Sequence, residues 1–218
     1  MRIVHVVLLA LVVMLGAGPA LAMAQDDGVG FEDMSGIQQA VTRSFSSPSD
    51  RELSAGVNAP RDLRKPLVAL LMTAVYSFDT EANAAASFEL LKTDMNATGF
   101  GGQPLEVTPV TLPVGMEHTA GVATDTAFGE TYHFVLVTAR DGIFIYTVIG
   151  IMAGGSPEAA VASTLNTMES RAAGSDPGSF DPTGGSTGGL WDKLPTRAMV
   201  EREFRGIESV EDAAPFPA

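Results

Sequence analysis

The stretch that decides the fold reads Y-H-F-V-L-V-T-A-R-D-G-I-F-I-Y-T-V-I-G-I-M, from Tyr132 to Met152. Two runs rich in Val, Ile, Phe and Tyr flank Asp141-Gly142, a pair favoured in two-residue type I′ turns. With Asp141 and Gly142 as the loop, Arg140 faces Ile143, Leu136 faces Thr147 and Phe134 faces Ile149. Ala139 with Phe144, Val137 with Tyr146 and Val135 with Val148 line the other face. Both faces are largely apolar, so the hairpin is expected inside a sheet and covered on at least one side. On this register His133 lies beside Gly150.

Outward from the hairpin, Ser156-Pro157-Glu158 opens a helix: an N-cap Ser, Pro at the first helical position and an acid in the first turn. It runs to about Ala173, with Val161, Leu165, Met168 and Ala172 on one face. On the other side, Gly121 to Thr126 predicts a short strand. Leu105 to Val114 alternates but is broken by Pro109 and Pro113, which confines it to an edge strand or a bulge. Thr80 to Thr98 predicts a helix with an Ala84, Phe88, Leu91 and Met95 stripe, stopped by Gly99. Leu67 to Phe78 fits both a period of two and a helical period; Pro66 and the Asp79-Thr80 cap bracket it as a strand. Ser35 is expected to cap a short helix to about Phe45, because Ile37, Ala40, Val41 and Phe45 share a face at helical spacing.

The two long helices correspond at a constant offset of about 77 residues, each behind an apolar strand. A structural repeat and the ordinary spacing of capped amphipathic helices both account for this. The expected fold class is α+β, an antiparallel sheet with helices packed on it.

The chain has 218 residues, 45% hydrophobic and 18% charged, as a globular protein has. Arg2, the apolar run Ile3 to Leu15 and the small-residue sites Ala20-Leu21-Ala22 and Ala22-Met23-Ala24 predict an export signal cleaved after Ala24. The apolar run falls short of the roughly 20 residues that span a membrane. An uncleaved anchor is the alternative. No stable span is expected once the signal is removed, so the chain is expected to be secreted or extracytoplasmic. There is no cysteine, which excludes disulfides, thiol catalysis and cysteine metal sites. The formal charge is −13, and removal of the signal leaves 12 basic against 26 acidic side chains, or −14. Nucleic acid and anionic membranes are therefore not expected as partners. Residues 25–34 are an expected flexible leader, 35–173 the folded domain, 174–189 a Gly/Ser-rich linker and 190–218 a tail.

The sequence carries no G-x-S-x-G elbow, no Walker loop, no Rossmann fingerprint and no H-E-x-x-H. Glu117-His118 is the adjacent acid–imidazole pair of the mature chain, and an exported hydrolase would have to use it. The expectation is instead no catalytic residue, no metal and no cofactor. Asp176 and Asp181 lack the acidic density of a calcium loop. The methionines after the signal are scattered and read as packing. In the tail, Leu190, Trp191 and Leu194 surround the sole Trp of the chain and form a candidate partner-docking motif. Its alternatives are that Trp191 folds back on its own domain or sits in a disordered end.

The succession F-D-T-E-A-N-A-A-A-S-F-E-L-L, the Leu112-Pro113-Val114-Gly115-Met116-Glu117 turn, the hairpin and S-P-E-A-A-V-A resembles small exported sheet-and-helix domains of Gram-positive-like bacteria. These are similar to PsbP-like and sensor-kinase extracellular domains. The resemblance covers Ile37 to Ala173. Such domains carry a Gly-Asp-Glu turn where this chain has Gly115-Met116-Glu117, and the sensor-kinase type has disulfides. The resemblance implies an α+β fold and a binding role, and it transfers no site residues. The expected function is an exported, non-catalytic binding or interaction domain holding a small apolar ligand between sheet and helices. The alternatives are an adaptor docking through the tail around Trp191 and the Glu117/His118 hydrolase.

Overall fold

A computed structural model describes residues 33–47, 65–127, 129–173 and 189–213. The expected signal segment, nearly all of the leader and all but the last residue of the linker lie outside the described residues. The protein has an α+β fold, an antiparallel sheet of seven strands in the order β5-β6-β7-β8-β2-β1-β9 with helices on both faces. The strands are β1 (Ile37–Ser46), β2 (Leu67–Phe78), β5 (Thr108–Val110), β6 (Glu117–Ala127), β7 (Glu130–Asp141), β8 (Phe144–Ala153) and β9 (Ser209–Ala213). A separate two-stranded ribbon, β3 (Ala97–Thr98) with β4 (Pro104–Leu105), precedes β5. The helices are α1 (Glu81–Thr93), α2 (Pro157–Ala173), α3 (Leu190–Lys193) and α4 (Arg197–Glu203).

The hairpin forms, but its turn is Gly142-Ile143 and Asp141 pairs with Phe144. Gly142 takes φ of 55° at the first loop position, where only glycine enters the left-handed region at little cost. The pairing slips by two residues, so Leu136 faces Ile149, Val137 faces Val148 and His133 faces Met152 rather than Gly150. A slip of two keeps every side chain on its expected face, since the strand period is two. Val135, Val137, Tyr146 and Val148 therefore pack on the first face, with Val161, Leu165 and Met168 of α2. Phe134, Leu136 and Ile151 belong to the second face with Tyr132 and Ala123. At the far end of that face, Ile145 and Phe78 meet Ala84 and Phe88 of α1.

The expected helix over Ser35 to Phe45 is a strand, β1, antiparallel to β2. Val41 and Phe45 are four apart, which suits a helix and a strand equally. The deciding context is β2, buried along most of its length and therefore in need of a partner on each edge. The alternation of Val41, Arg43 and Phe45 with Ala40, Thr42 and Ser44 was the available strand signal. The α1 helix starts as expected, with the Thr80 hydroxyl accepting from Asn83 N, but ends at Thr93. Asp94 and Asn96 hydrogen-bond each other there, the local bonding with which such residues compete against a helix. β6 is longer than expected, and Pro109 sits in the edge strand β5.

The strand–helix succession occurs twice, and β2 and β8 are direct neighbours. Yet α1 lies on the second face and α2 on the first, so the two units do not pack as equivalent layers. The domain does not end before the linker. β9 adds to the outer edge of β1, from Thr42↔Ala213 to Ser46↔Ser209.

Candidate functional site

The segment 189–213 is integral to the first face. Leu190, Leu194, Val200, Phe204 and Ile207 are buried in the same cluster as Val41, Phe45 and Leu165. Backbone bonds fix it to the sheet: Val68 N donates to Arg205 O at 3.0 Å, Arg205 N to Pro66 O at 3.1 Å and Glu208 N to Ser46 O at 3.0 Å. Arg43 on β1 clamps it, donating from Nε and Nη2 to the two Asp212 oxygens at 2.6 and 2.7 Å and from Nη1 to Pro195 O at 3.2 Å. The hydrogen-bonded Asp212 raises the Arg43 guanidinium above its already high range, although burial opposes this. Arg171 of α2 donates to Asp192 O. Lys193 is only 3% exposed and its ammonium lies 4.3 Å from the Phe144 ring centre. Burial pushes this ammonium below its ordinary range, while Asp141 and Asp192 pull it back up.

Of the candidate docking residues, Leu190 and Leu194 thus face their own core. Trp191 remains 37% exposed on a segment held down on both sides of it. Folding back accounts for the two leucines and leaves the indole at the surface.

Glu117 and His118 are neighbours in β6 and point to opposite faces of the sheet. Glu117 is opposite Arg140 in the ladder and receives Nη2 at 2.6 Å. His118 has both ring nitrogens engaged by backbone. Leu112 N donates to Nε2 at 3.2 Å, so Nδ1 carries the proton and donates to Met116 O at 3.0 Å. This imidazole clamps the Leu112–Met116 turn, and neither nitrogen is free to take a proton from a substrate. The geometry does not assemble the pair. Among the described residues, no group of three His, Cys, Asp or Glu is placed to hold a metal.

What sequence reasoning missed lies on the second face. There α1 packs over one end, around Phe78 and Ile145, and Met95, Phe100, Leu105 and Val107 cover the opposite corner over β6 and β7. Over β8, β2 and β1 the middle of this face is less completely covered. Thr147, Ile149, Met72, Tyr76, Thr42 and Ser44 are all half-buried, although β8 and β2 are central strands. The ladder sets them in adjoining rows: Leu136–Ile149–Met72–Ser44, and beside it Thr119–Thr138–Thr147–Ala74–Thr42. Thr119 donates to Met95 Sδ at 3.3 Å. Burial raises the Tyr76 phenol, and its hydrogen bond with Thr147 opposes that shift. The phenol therefore stays protonated as a hydrogen-bond donor or acceptor. A thioether and an Ile side chain flanked by hydroxyls make an uncharged floor, capable of apolar contact with a few orienting polar groups. The signal was present in the sequence, as Thr and Met at alternate positions of apolar strands, but only the register sets them side by side.

Among the described residues, no helix is long and apolar enough to cross a membrane. Comparison with protein-family models, curated proteins and solved structures gave no match to any of them.

Proposed function

We propose that the chain is an exported, non-catalytic binding domain that holds a small apolar ligand against the second face of its sheet. The observation that carries this reading is the half-buried floor of Met72 and Ile149 on two central strands, bordered by the hydroxyls of Thr147, Tyr76 and Thr42. An antiparallel sheet can leave one face to water, but this face carries Met72 and Ile149 at its middle and is covered at its ends, and a ligand lying between α1 and the β3–β4 side would complete that cover. Export follows from the N-terminal signal pattern, and the acidity of the chain disfavours nucleic acid. The test is a native mass spectrum of residues 25–218 purified under mild conditions from the native host. A reproducible extra mass that leaves on denaturation is expected, and Met72→Lys, which places a charge in the floor, is expected to abolish it. A bare monomer mass from both proteins defeats the reading.

A second reading has one observation in its favour. Leu190 and Leu194 anchor the segment while Trp191 stays exposed between them, a rigid presentation suited to a partner protein. Pull-downs with Trp191→Ala decide it: loss of a captured protein supports an adaptor role, and unchanged capture removes it.

A further inference from the structure

The less covered middle of the second face runs out to the β9 edge of the sheet, and the register fixes what stands there. From β8 outward one row reads Ile149, Met72, Ser44 and Glu211, each directly opposite the next. Opposite residues of an antiparallel pair share a face, so Glu211 stands on the side of Met72. Neighbouring strands lie about 4.8 Å apart, which puts Glu211 roughly 10 Å from Met72 and roughly 14 Å from Ile149 along the row. The row thus passes from two apolar side chains through a hydroxyl to a carboxylate. The adjoining row ends on the uncharged Ala213.

β9 is pinned on either side of Glu211. Thr42 Oγ1 donates to Ala213 O at 3.1 Å, and the Ser46 and Ser209 hydroxyls lie 2.6 Å apart. On the opposite face Asp212 is held by Arg43. Glu211 itself is exposed, and among the described residues its carboxylate has no ion-pair or hydrogen-bond partner. The bases nearby are engaged elsewhere. Arg140 is the basic strand residue of this face among the described residues, and its Nε and Nη2 donate to Glu117 at 3.0 and 2.6 Å. Lys92 of α1 pairs with Glu89 of its own helix at 2.9 Å. An anionic group at this end of the row would meet a carboxylate with no cation to offset it. A cationic group would meet its complement, and the formal charge of −13 attracts it from a distance.

We propose that the ligand of the second face is an aliphatic molecule with a cationic end, its chain lying across Ile149 and Met72 and its ammonium beside Glu211. This inference rests on the binding-domain reading and adds a charged end to the ligand. The thioether and the Ile side chain supply apolar contact, and the carboxylate at the rim sets the direction in which the chain lies.

The test compares octylammonium, octanol and octanoate, which share one chain and differ in charge, on residues 25–218 at neutral pH. Calorimetry gives the affinities, and the methyl resonance of Met72 reports whether the chain reaches the floor. Octylammonium is expected to bind tightest and octanoate weakest, with the Met72 methyl shifted by octylammonium and by octanol. Glu211→Gln, a change at an exposed position, is expected to weaken octylammonium about threefold, the scale of a partly solvated ion pair, and to leave octanol unchanged. Added salt is expected to narrow the gap between octylammonium and octanol, since it screens exposed charges. Equal binding of all three probes, tightest binding of octanoate, or no effect of Glu211→Gln on octylammonium overturns the cationic end. If octanol still shifts Met72 in that case, the apolar floor stands and Glu211 only guards the edge strand against pairing. If neither octanol nor octylammonium shifts Met72, the binding-domain reading fails and this inference falls with it.

Discussion

The two faces of the sheet are closed in different ways. The first is sealed by a seventeen-residue helix and by the C-terminal segment, whose Leu194, Val200 and Phe204 are as buried as any residue of the sheet. The second is covered at its ends, by α1 and by the β3–β4 side, and its middle is half-exposed at Met72, Thr147 and Ile149. The sealed face supplies stability, since buried apolar area is the main favourable term in folding. The less covered face has contact area still to give. Of the two, it is the face on which a bound molecule adds burial without displacing the protein's own side chains.

The comparison breaks if the two faces respond alike to truncation. Phe204→Ala on the sealed face is expected to cost about 3–5 kcal/mol, measured by urea unfolding. Met72→Ala on the other face is expected to cost only about 1 kcal/mol, since much less area leaves water there on folding. Equal losses would mean that the second face is as closed as the first. Arg43→Ala comes next, at roughly 1 kcal/mol, because it removes a two-pronged but partly solvated ion pair. Hydrogen exchange across Ser209–Ala213 should quicken in that variant before the rest of the sheet responds. Trp191→Ala is expected to change stability by less than about 0.5 kcal/mol. A larger loss would show that the indole packs rather than presents itself.

A last effect shows itself only at alkaline pH. The Tyr76 and Tyr146 phenols are raised by burial from an ordinary value of 10.0. The folded chain therefore keeps phenolic protons that the unfolded chain releases. This contribution is fully present below pH 10 and is lost as pH rises beyond it. Unfolding followed from pH 8 to 12 should show a steeper alkaline fall for the wild type than for Tyr76→Phe, whose phenol belongs to the less covered face. The same slope in both proteins would show that Tyr76 titrates as an ordinary phenol.

Local chemistry made much of the architecture legible. The cap at Thr80 and the Ser156-Pro157-Glu158 start place α1 and α2, and Pro109 assigns β5 to an edge. The hairpin was readable because alternation fixes faces even when the turn is off by one residue. β1 was not, since a four-residue spacing of apolar side chains satisfies both periods and only pairing with β2 separates them. The Glu117–His118 pair looked like chemistry because adjacency in sequence resembles proximity, whereas in a strand adjacent side chains part.

The sequence by itself determined the α+β class, both long helices and the faces of the central hairpin, because capping and periodicity act over a few residues. Tertiary structure alone decided that residues 189–213 join the core, that Leu190 and Leu194 face inward, and that Met72, Thr147 and Ile149 become neighbours. Those outcomes depend on which strands pair and on which apolar surfaces remain to be covered once they have. That is a property of the whole sheet, and no window of the chain contains it.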